Sequence, residues 1–306
     1  MSDVISKRSE LLFLYDVKDI NPNGDPLDEN KPRIDEETME NLVSDVRLKR
    51  TVRDYLCDFK GHEIFIRGTK DNKGVLKDKE DRLKDLNITN AEGLLKACID
   101  IRLFGATTAI KGKSIHLTGP VQFRIGRSLH RVKLVCMKGS TVMPSNKLSK
   151  QGTFTEHYVL PYSLICFYGV VNENAAKTTL LTNDDVHSLV DALWNGTKNQ
   201  ISRSKVGQMP RLLINVTYRE KNYHVGDLNA LVRKAPSDLQ DEEIRDITQV
   251  PLEVSMLVEA FAANAEKIDH IDYCADPHLC LLMKGKPVTI DVALKASNCP
   301  VKQLTF

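Results

Sequence analysis

The sequence predicts an α+β fold of the ferredoxin-like kind, and three observations carry that reading. Apolar runs at 10–18, 157–171 and 211–219 are each shorter than a membrane span and read as buried strands. Two stretches, 44–60 and 182–194, place their apolar residues on one helical face. In chain order the long elements run β, α, β, insertion, β, exposed hairpin, β, α, β, which contains the βαββαβ pattern. The RNA-recognition module is one user of that architecture, although a fold alone does not give a function.

The first strand spans Glu10 to Lys18, and the prolines and glycine of NPNGDP, Asn21 to Pro26, break it. A helix follows from Ser44, an N-cap residue, to Lys60. Its apolar residues Leu48, Val52, Tyr55 and Phe59 recur at helical spacing, and Gly61 can end it. His62 to Arg67 reads as a short strand. Residues 69–90 are polar and charged and read as an irregular insertion, followed by a short helix over 91–101. GPVQFRIGRSLHRVKLVC, 119–136, reads as a strand bent at Gly126. Residues 138–155 have little to bury and read as an exposed loop or hairpin tip. The strand 157–171, a helix capped by Thr182 or Asn183 and running to Trp194, the loop ISRSKVGQMP and the strand 211–219 complete the core. Beyond Lys221 a late strand is expected over Pro287–Val292.

Composition narrows the function. With 42% apolar and 27% charged residues the chain is an ordinary globular protein. The N-terminal MSDVISKRSE has no apolar signal-peptide core, and seven cysteines never form a CxxC, so reduced thiols in the cytoplasm are expected. The formal charge of +2 conceals an uneven distribution. Between Asp100 and Glu156 lie 55 residues without an Asp or Glu, carrying ten Lys and Arg. At 41 acids in 306 residues, about seven carboxylates belong there. Residues 222–306 carry 13 acids against 8 bases. A basic middle in a folded chain points to a polyanion, with a solvated surface as the plain alternative.

Several groups are candidates for contact. Lys49, Arg53 and Lys60 run along one edge of the first helix, with Arg50 and Arg47 further round, an arrangement that can hold a phosphate backbone. Arg127, His130 and Arg131 surround the glycine bend, and SRSKVGQ adds Arg203 and Lys205. No Walker loop is present. His130 or His157 beside the cations leaves open a metal-independent ribonuclease. His270, Cys274, His278 and Cys280 lie within eleven residues, but in none of the common zinc spacings, so a chance grouping is favoured and no cofactor is expected.

LFLYDVKDINPNGDPLDENKPRID followed by VSDVRLKRTVRDYL resembles the backbone subunit of type I CRISPR surveillance complexes (Cascade), of the RAMP superfamily, most like the subtype I-B form. CIDIRLFGAT, LTGPVQFRIGRSLHRV and SKVGQMPRLLINVTY match the same subfamily in order. The likeness covers about residues 9–220 and thins out after them.

The resemblance implies an RRM-like palm (9–68 and 117–220), an inserted finger region (69–116), a thumb hairpin (133–158) and a C-terminal extension (221–306), forming one elaborated domain. It implies a non-enzymatic subunit whose copies stack head to tail on a CRISPR RNA, beside other Cascade subunits, while target DNA pairs with the guide. Ser44, Lys49 and Arg53 match guide-binding positions, with Arg50 adjacent. The Gly126–Arg131 turn corresponds to a channel lining, and Gln122, Arg124, Arg203 and Lys205 complete the expected contacts. Met143, Lys147 and Leu148 fall in the thumb, with Met143 or Leu148 as its wedge.

Overall fold

The computed structural model describes residues 3–110, 113–140 and 154–306. Its frame is a nine-stranded mixed sheet whose centre is β1 (Ser9–Ile20). Every position of β1 except Lys18 and Asp19 is buried, which explains why apolar residues occupy both of its phases. Chain order continues with β2 (Glu40–Val43), α1 (Asp45–Asp58), α2 (Lys79–Asp85), α3 (Ala91–Ala97), α4 (Ile99–Phe104) and the hairpin β3 (Gly105–Ile110) with β4 (Lys113–Thr118). Then come β5 (Val121–Phe123), β6 (Gly126–Arg131), β7 (Val135–Ser140), β8 (Phe154–Val171), α5 (Glu173–Thr179), α6 (Asn183–Asp191) and β9 (Met209–Tyr218). The last part supplies α7 (Ser255–Ala263), β10 (Ile268–Ala275), α8 (Ile290–Lys295) and β11 (Val301–Gln303).

Across the sheet the strands run β11-β10-β9-β1-β8-β6-β2, with β5 and β7 also pairing with β8. Strand β8 is 18 residues long and pairs with four strands, β1, β5, β6 and β7. Its 160–171 half pairs with β1, and its 154–159 end pairs with β7 to make the base of a hairpin. The expected thumb tip, including Met143, Lys147 and Leu148, lies outside the described residues.

Alternation along β1 assigns the two faces. Leu11, Phe13, Tyr15 and Val17 point to the side covered by α1 and α6. Leu12 and Leu14 point to the other side, where residues of the 228–299 segment cover the sheet. The C-terminal extension therefore does two things: β10 and β11 widen the sheet, and the rest buries its second face. A smaller core of Phe65, Leu83, Leu94, Leu95, Cys98, Ile101 and Ile110 holds the insertion together.

Helix α1 begins and ends where its sequence says. The Ser44 hydroxyl accepts from the Arg47 N–H, and at the far end Gly61 takes φ +70° while His62 N–H returns to Leu56 O at 2.9 Å. Helix α6 opens with a Thr182–Asp185 capping box and widens into a π-turn over Ala192–Gly196.

Three expectations are corrected. His62–Arg67 is not a strand: the Phe65 and Ile66 N–H groups donate to the Asp100 carboxylate, at 2.9 and 3.1 Å, instead of to a neighbouring strand. Pro287–Val292 is divided between a three-residue strand, Lys286–Val288, and the start of α8, because Thr289 caps the helix. The stretch 69–90 is not wholly irregular, since Asp78 caps α2 within it.

The strand expected over 119–136 with a bend at Gly126 is instead broken at 124–125 and resumes as β6 at Gly126, where packing requires a glycine. A Cβ there would lie 2.4–2.7 Å from the Phe167 ring. Gly126→Ala is expected to destabilise the fold by roughly 1–3 kcal/mol, through overpacking. An unchanged urea midpoint would show that Phe167 yields freely.

Candidate nucleic-acid interface

The N-terminal half of α1 faces the inserted region across a cleft of about 660 Å³. One wall is Asn23, Ser44, Val46, Arg47, Arg50 and Arg53, and the other is Phe65–Gly68, Lys77–Lys79 and Arg82. Seven Lys and Arg line it against one acid, Asp78.

The two walls are joined beneath by Asp100. This carboxylate is fully buried and accepts from Arg53 Nε at 3.0 Å as well as from the two N–H groups of Phe65 and Ile66. Arg53 also lies over the Phe104 ring, 5.0 Å from its centroid. Arg82 holds the second wall by bonding Glu63 and the Ile64 carbonyl. Arg50 pairs with Asp54 on the helix surface and Lys77 with Asp85. Arg67 and Lys79 are exposed, and neither has a carboxylate within ion-pair distance among the described residues. Arg47 reaches Gln200 and Thr51, and burial holds its guanidinium below its usual basicity.

The remaining expected contacts separate into groups. Lys49 turns away from the cleft to Asp45 at 2.9 Å and Gln122 at 3.4 Å. Gln122 in turn donates to Gly119 O. Arg203 is exposed, whereas Lys205 points inward and donates to the carbonyls of Asn21 and Pro22. Burial, with the nearby Arg47 charge, lowers the Lys205 amine to about 8.

The acid-free block is not acid-free in space. Arg102 makes two bonds to Asp185, at 2.8 and 2.7 Å, and Arg124 meets Asp227. Arg127 bonds Asp35 and Glu40 at 2.9 and 3.0 Å, Arg131 lies 3.2 Å from Glu242, and Lys138 lies 3.4 Å from Glu156. Each partner comes from outside the block. Lys133 is exposed. Lys111, Lys147 and Lys150 lie outside the described residues.

His130 is a core residue and not a surface contact. It is 4% exposed, its ring stacks on Tyr162, and its Nε2 accepts the Leu164 N–H at 3.2 Å. A backbone N–H can only donate, so the proton sits on Nδ1, which donates to Arg131 O at 2.8 Å. Period-two alternation in GRSLHR already gave this away: Gly126, Ser128 and His130 share the buried phase.

The His/Cys cluster does not converge either. His270 lies between Asp269 and Asp272, His278 bonds Asp276, and burial pushes the Cys274 thiol up to about 11. Cys280 Sγ points to the Thr248 carbonyl. Among the described residues no three His, Cys, Asp or Glu groups are arranged to hold a metal ion.

Sequence reasoning missed Asn23, Arg67, Lys77, Lys79 and Arg82. The last three sit in a stretch of nearly equal Lys/Arg and Asp/Glu content, whose balance gives no signal until folding selects which side chains face α1.

The fold and the cleft together define an α+β protein with a basic groove of the kind that accommodates an extended polyanion. Residues 7–255 match the family model described as CRISPR-associated protein Cas7. A CRISPR-associated protein Cas7 of Haloferax volcanii is 35% identical over 315 residues, covering 93% of this chain and 91% of that protein. The chain therefore belongs to the Cas7 family. Two solved structures are similar in fold. One is a chain from a "CRISPR RNA-guided surveillance complex, pre-nicking", with 11% identity, coverage of 97% and 96%, and a TM-score of 0.57. The other is from a "CRISPR RNA-guided surveillance complex", with 15% identity, coverage of 95% and 99%, and a TM-score of 0.52.

Asp100→Ala leaves Arg53 without its buried counter-charge and two N–H groups without an acceptor. It is expected to cost about 3–5 kcal/mol in urea unfolding, and a loss below 1 kcal/mol would remove Asp100 from this role. A second expectation concerns pH. Burial depresses the folded pKa of His130 below the ordinary 6.5. The unfolded chain then binds the proton more readily, so this contribution is present above pH 6.5 and is lost as the pH falls below it. His130→Gln should flatten that part of the stability profile, and a profile unchanged by the substitution would contradict the assignment.

Proposed function

We propose that this protein is a crRNA-binding backbone subunit of a type I CRISPR effector complex, working in the cytoplasm. Copies assemble head to tail along the guide, beside other subunits, and support guide-directed binding of target DNA. The observation that carries this is the basic cleft between α1 and the insertion, in a chain of the Cas7 family.

The finer architecture follows the same reading. The order β9-β1-β8-β6, with α1 and α6 on one face, supports an RRM-like palm. The insertion with its own small core supports fingers, and the hairpin of β7 with β8 supports a thumb. The second face of the palm is covered by the C-terminal segment, so bases are not stacked across it. A guide carrier has reason to grip phosphate and sugar and leave base edges free for pairing. The subunit is read as non-catalytic, because both ring nitrogens of His130, one of the two proposed bases, are engaged in the core. The likeness to subtype I-B belongs to this proposal as well.

The test uses exposed cations. Lys49 and Arg53 are poor choices, since their side chains are mostly buried in ion pairs with Asp45 and Asp100. Arg50→Glu, Arg67→Glu and Lys79→Glu together should abolish recovery of discrete RNA when a CRISPR array is co-expressed, with an unchanged circular dichroism spectrum. Each phosphate contact removed singly should reduce the slope of log affinity against log salt by about 0.7. Normal RNA recovery by the triple variant would sink the assignment of the cleft.

A further inference from the structure

Asn23 lines the cleft, and its side-chain Nδ2 has no hydrogen-bond partner among the described residues. The turn around it is tightly tied. Asn21 Nδ2 donates to Asn30 O at 2.6 Å, Lys205 Nζ donates to Pro22 O at 2.9 Å, and Arg33 N–H donates to Asn23 O at 3.3 Å. Its backbone carbonyl is thus engaged while its side-chain Nδ2 is not. Asn23 is only 8% exposed, and its Nδ2 is buried with no hydrogen-bond partner among the described residues. Leaving such a donor without a partner is unfavourable, so a buried amide of this kind calls for an explanation.

The neighbouring Lys and Arg side chains are donors only. They suit phosphate oxygens, which RNA and DNA share. An amide differs in offering a donor and an acceptor side by side. Of the groups along a nucleic-acid backbone, the ribose 2′-hydroxyl is the one that both donates and accepts, and deoxyribose lacks it. Against a phosphate only the donor half of the Asn23 amide would find a partner, whereas a 2′-hydroxyl can engage both halves.

We infer that Asn23 is a specificity-determining residue with which the cleft selects ribose over deoxyribose. The inference rests on reading the cleft as a guide groove. It gives that groove a means of taking the guide strand and refusing the DNA strand that pairs with it. The Lys205 anchor keeps the turn in place before any ligand arrives, so little ordering cost falls on binding.

The experiment measures fluorescence anisotropy of one oligonucleotide sequence as RNA, as DNA and as 2′-O-methyl RNA. The proteins compared are the wild type, Asn23→Ala and Asn23→Ser. Wild-type protein is expected to favour RNA over DNA by about tenfold, as one or two net hydrogen bonds allow. Asn23→Ala should bring the RNA affinity down to the DNA value and leave DNA binding unchanged. Asn23→Ser, with a hydroxyl that both donates and accepts, should restore part of the difference. The 2′-O-methyl strand, which accepts but cannot donate, should fall between RNA and DNA on wild-type protein, a comparison that needs no substitution. Equal wild-type affinity for RNA and DNA, or a preference that survives Asn23→Ala, overturns the inference and leaves the guide-groove reading standing. Binding of neither nucleic acid by the wild type removes both.

Discussion

One buried carboxylate organises the candidate cleft of this protein. Asp100 has no access to solvent, yet it gathers a guanidinium from α1 and two backbone N–H groups from the segment that follows the helix. A carboxylate taken out of water must be compensated, and here the compensation comes from both walls of the cleft at once. The burial of Asp100 therefore fixes the distance between helix and insertion. It also explains why residues 62–67 do not join the sheet despite their alternating pattern, since their N–H groups already have an acceptor. Arg53, which lines the cleft, is positioned by the same bond from its Nε.

The second constraint lies on β1. Glu10, fully buried, accepts from the hydroxyls of Tyr168 and Tyr218 and from the N–H groups of Val225 and Gly226. Asp16, near the other end of the strand, accepts from Tyr162 and pairs with Arg211, which also reaches Asp276. Burial raises the Asp16 carboxyl pKa, and Arg211 opposes that rise. Both carboxylates stand on the central strand and draw in parts of the C-terminal half. The second face of the sheet is closed by this polar stitching as well as by its apolar contacts, so the groove is left to the edge between α1 and the insertion.

Much of this was legible in the sequence where a single periodicity decided the outcome. The period of Leu48, Val52 and Tyr55, with Ser44 and Gly61 as caps, located α1 within two residues at each end. The runs that became β1, β8 and β9 were legible because strands buried on both faces have no polar phase to confuse them. The candidate cleft was legible only in its helical half. Ser44, Arg50 and Arg53 line the cleft, but Lys49 faces Gln122 on another side. The opposite wall was hidden because Arg67, Lys79 and Arg82 are selected by a tertiary contact that leaves no local pattern. His130 was misread as a surface group because its cationic neighbours drew attention from the strand alternation that buries it.

The fate of the basic block shows why linear charge is a weak guide to a surface field. An isolated cation on a folded surface attracts the carboxylates that the fold brings near, and Arg102, Arg124, Arg127 and Arg131 each found one from elsewhere in the chain. Their charges are largely spent in short-range pairs, and the potential they project is correspondingly reduced. Within the cleft the balance is different. Its buried acid, Asp100, sits beneath the floor, and Arg67 and Lys79 have no carboxylate partner among the described residues. The field that a polyanion meets is set by which cations remain uncompensated after folding. By that measure the groove belongs to α1 and the insertion, although the densest run of positive charge in the sequence lies further along the chain.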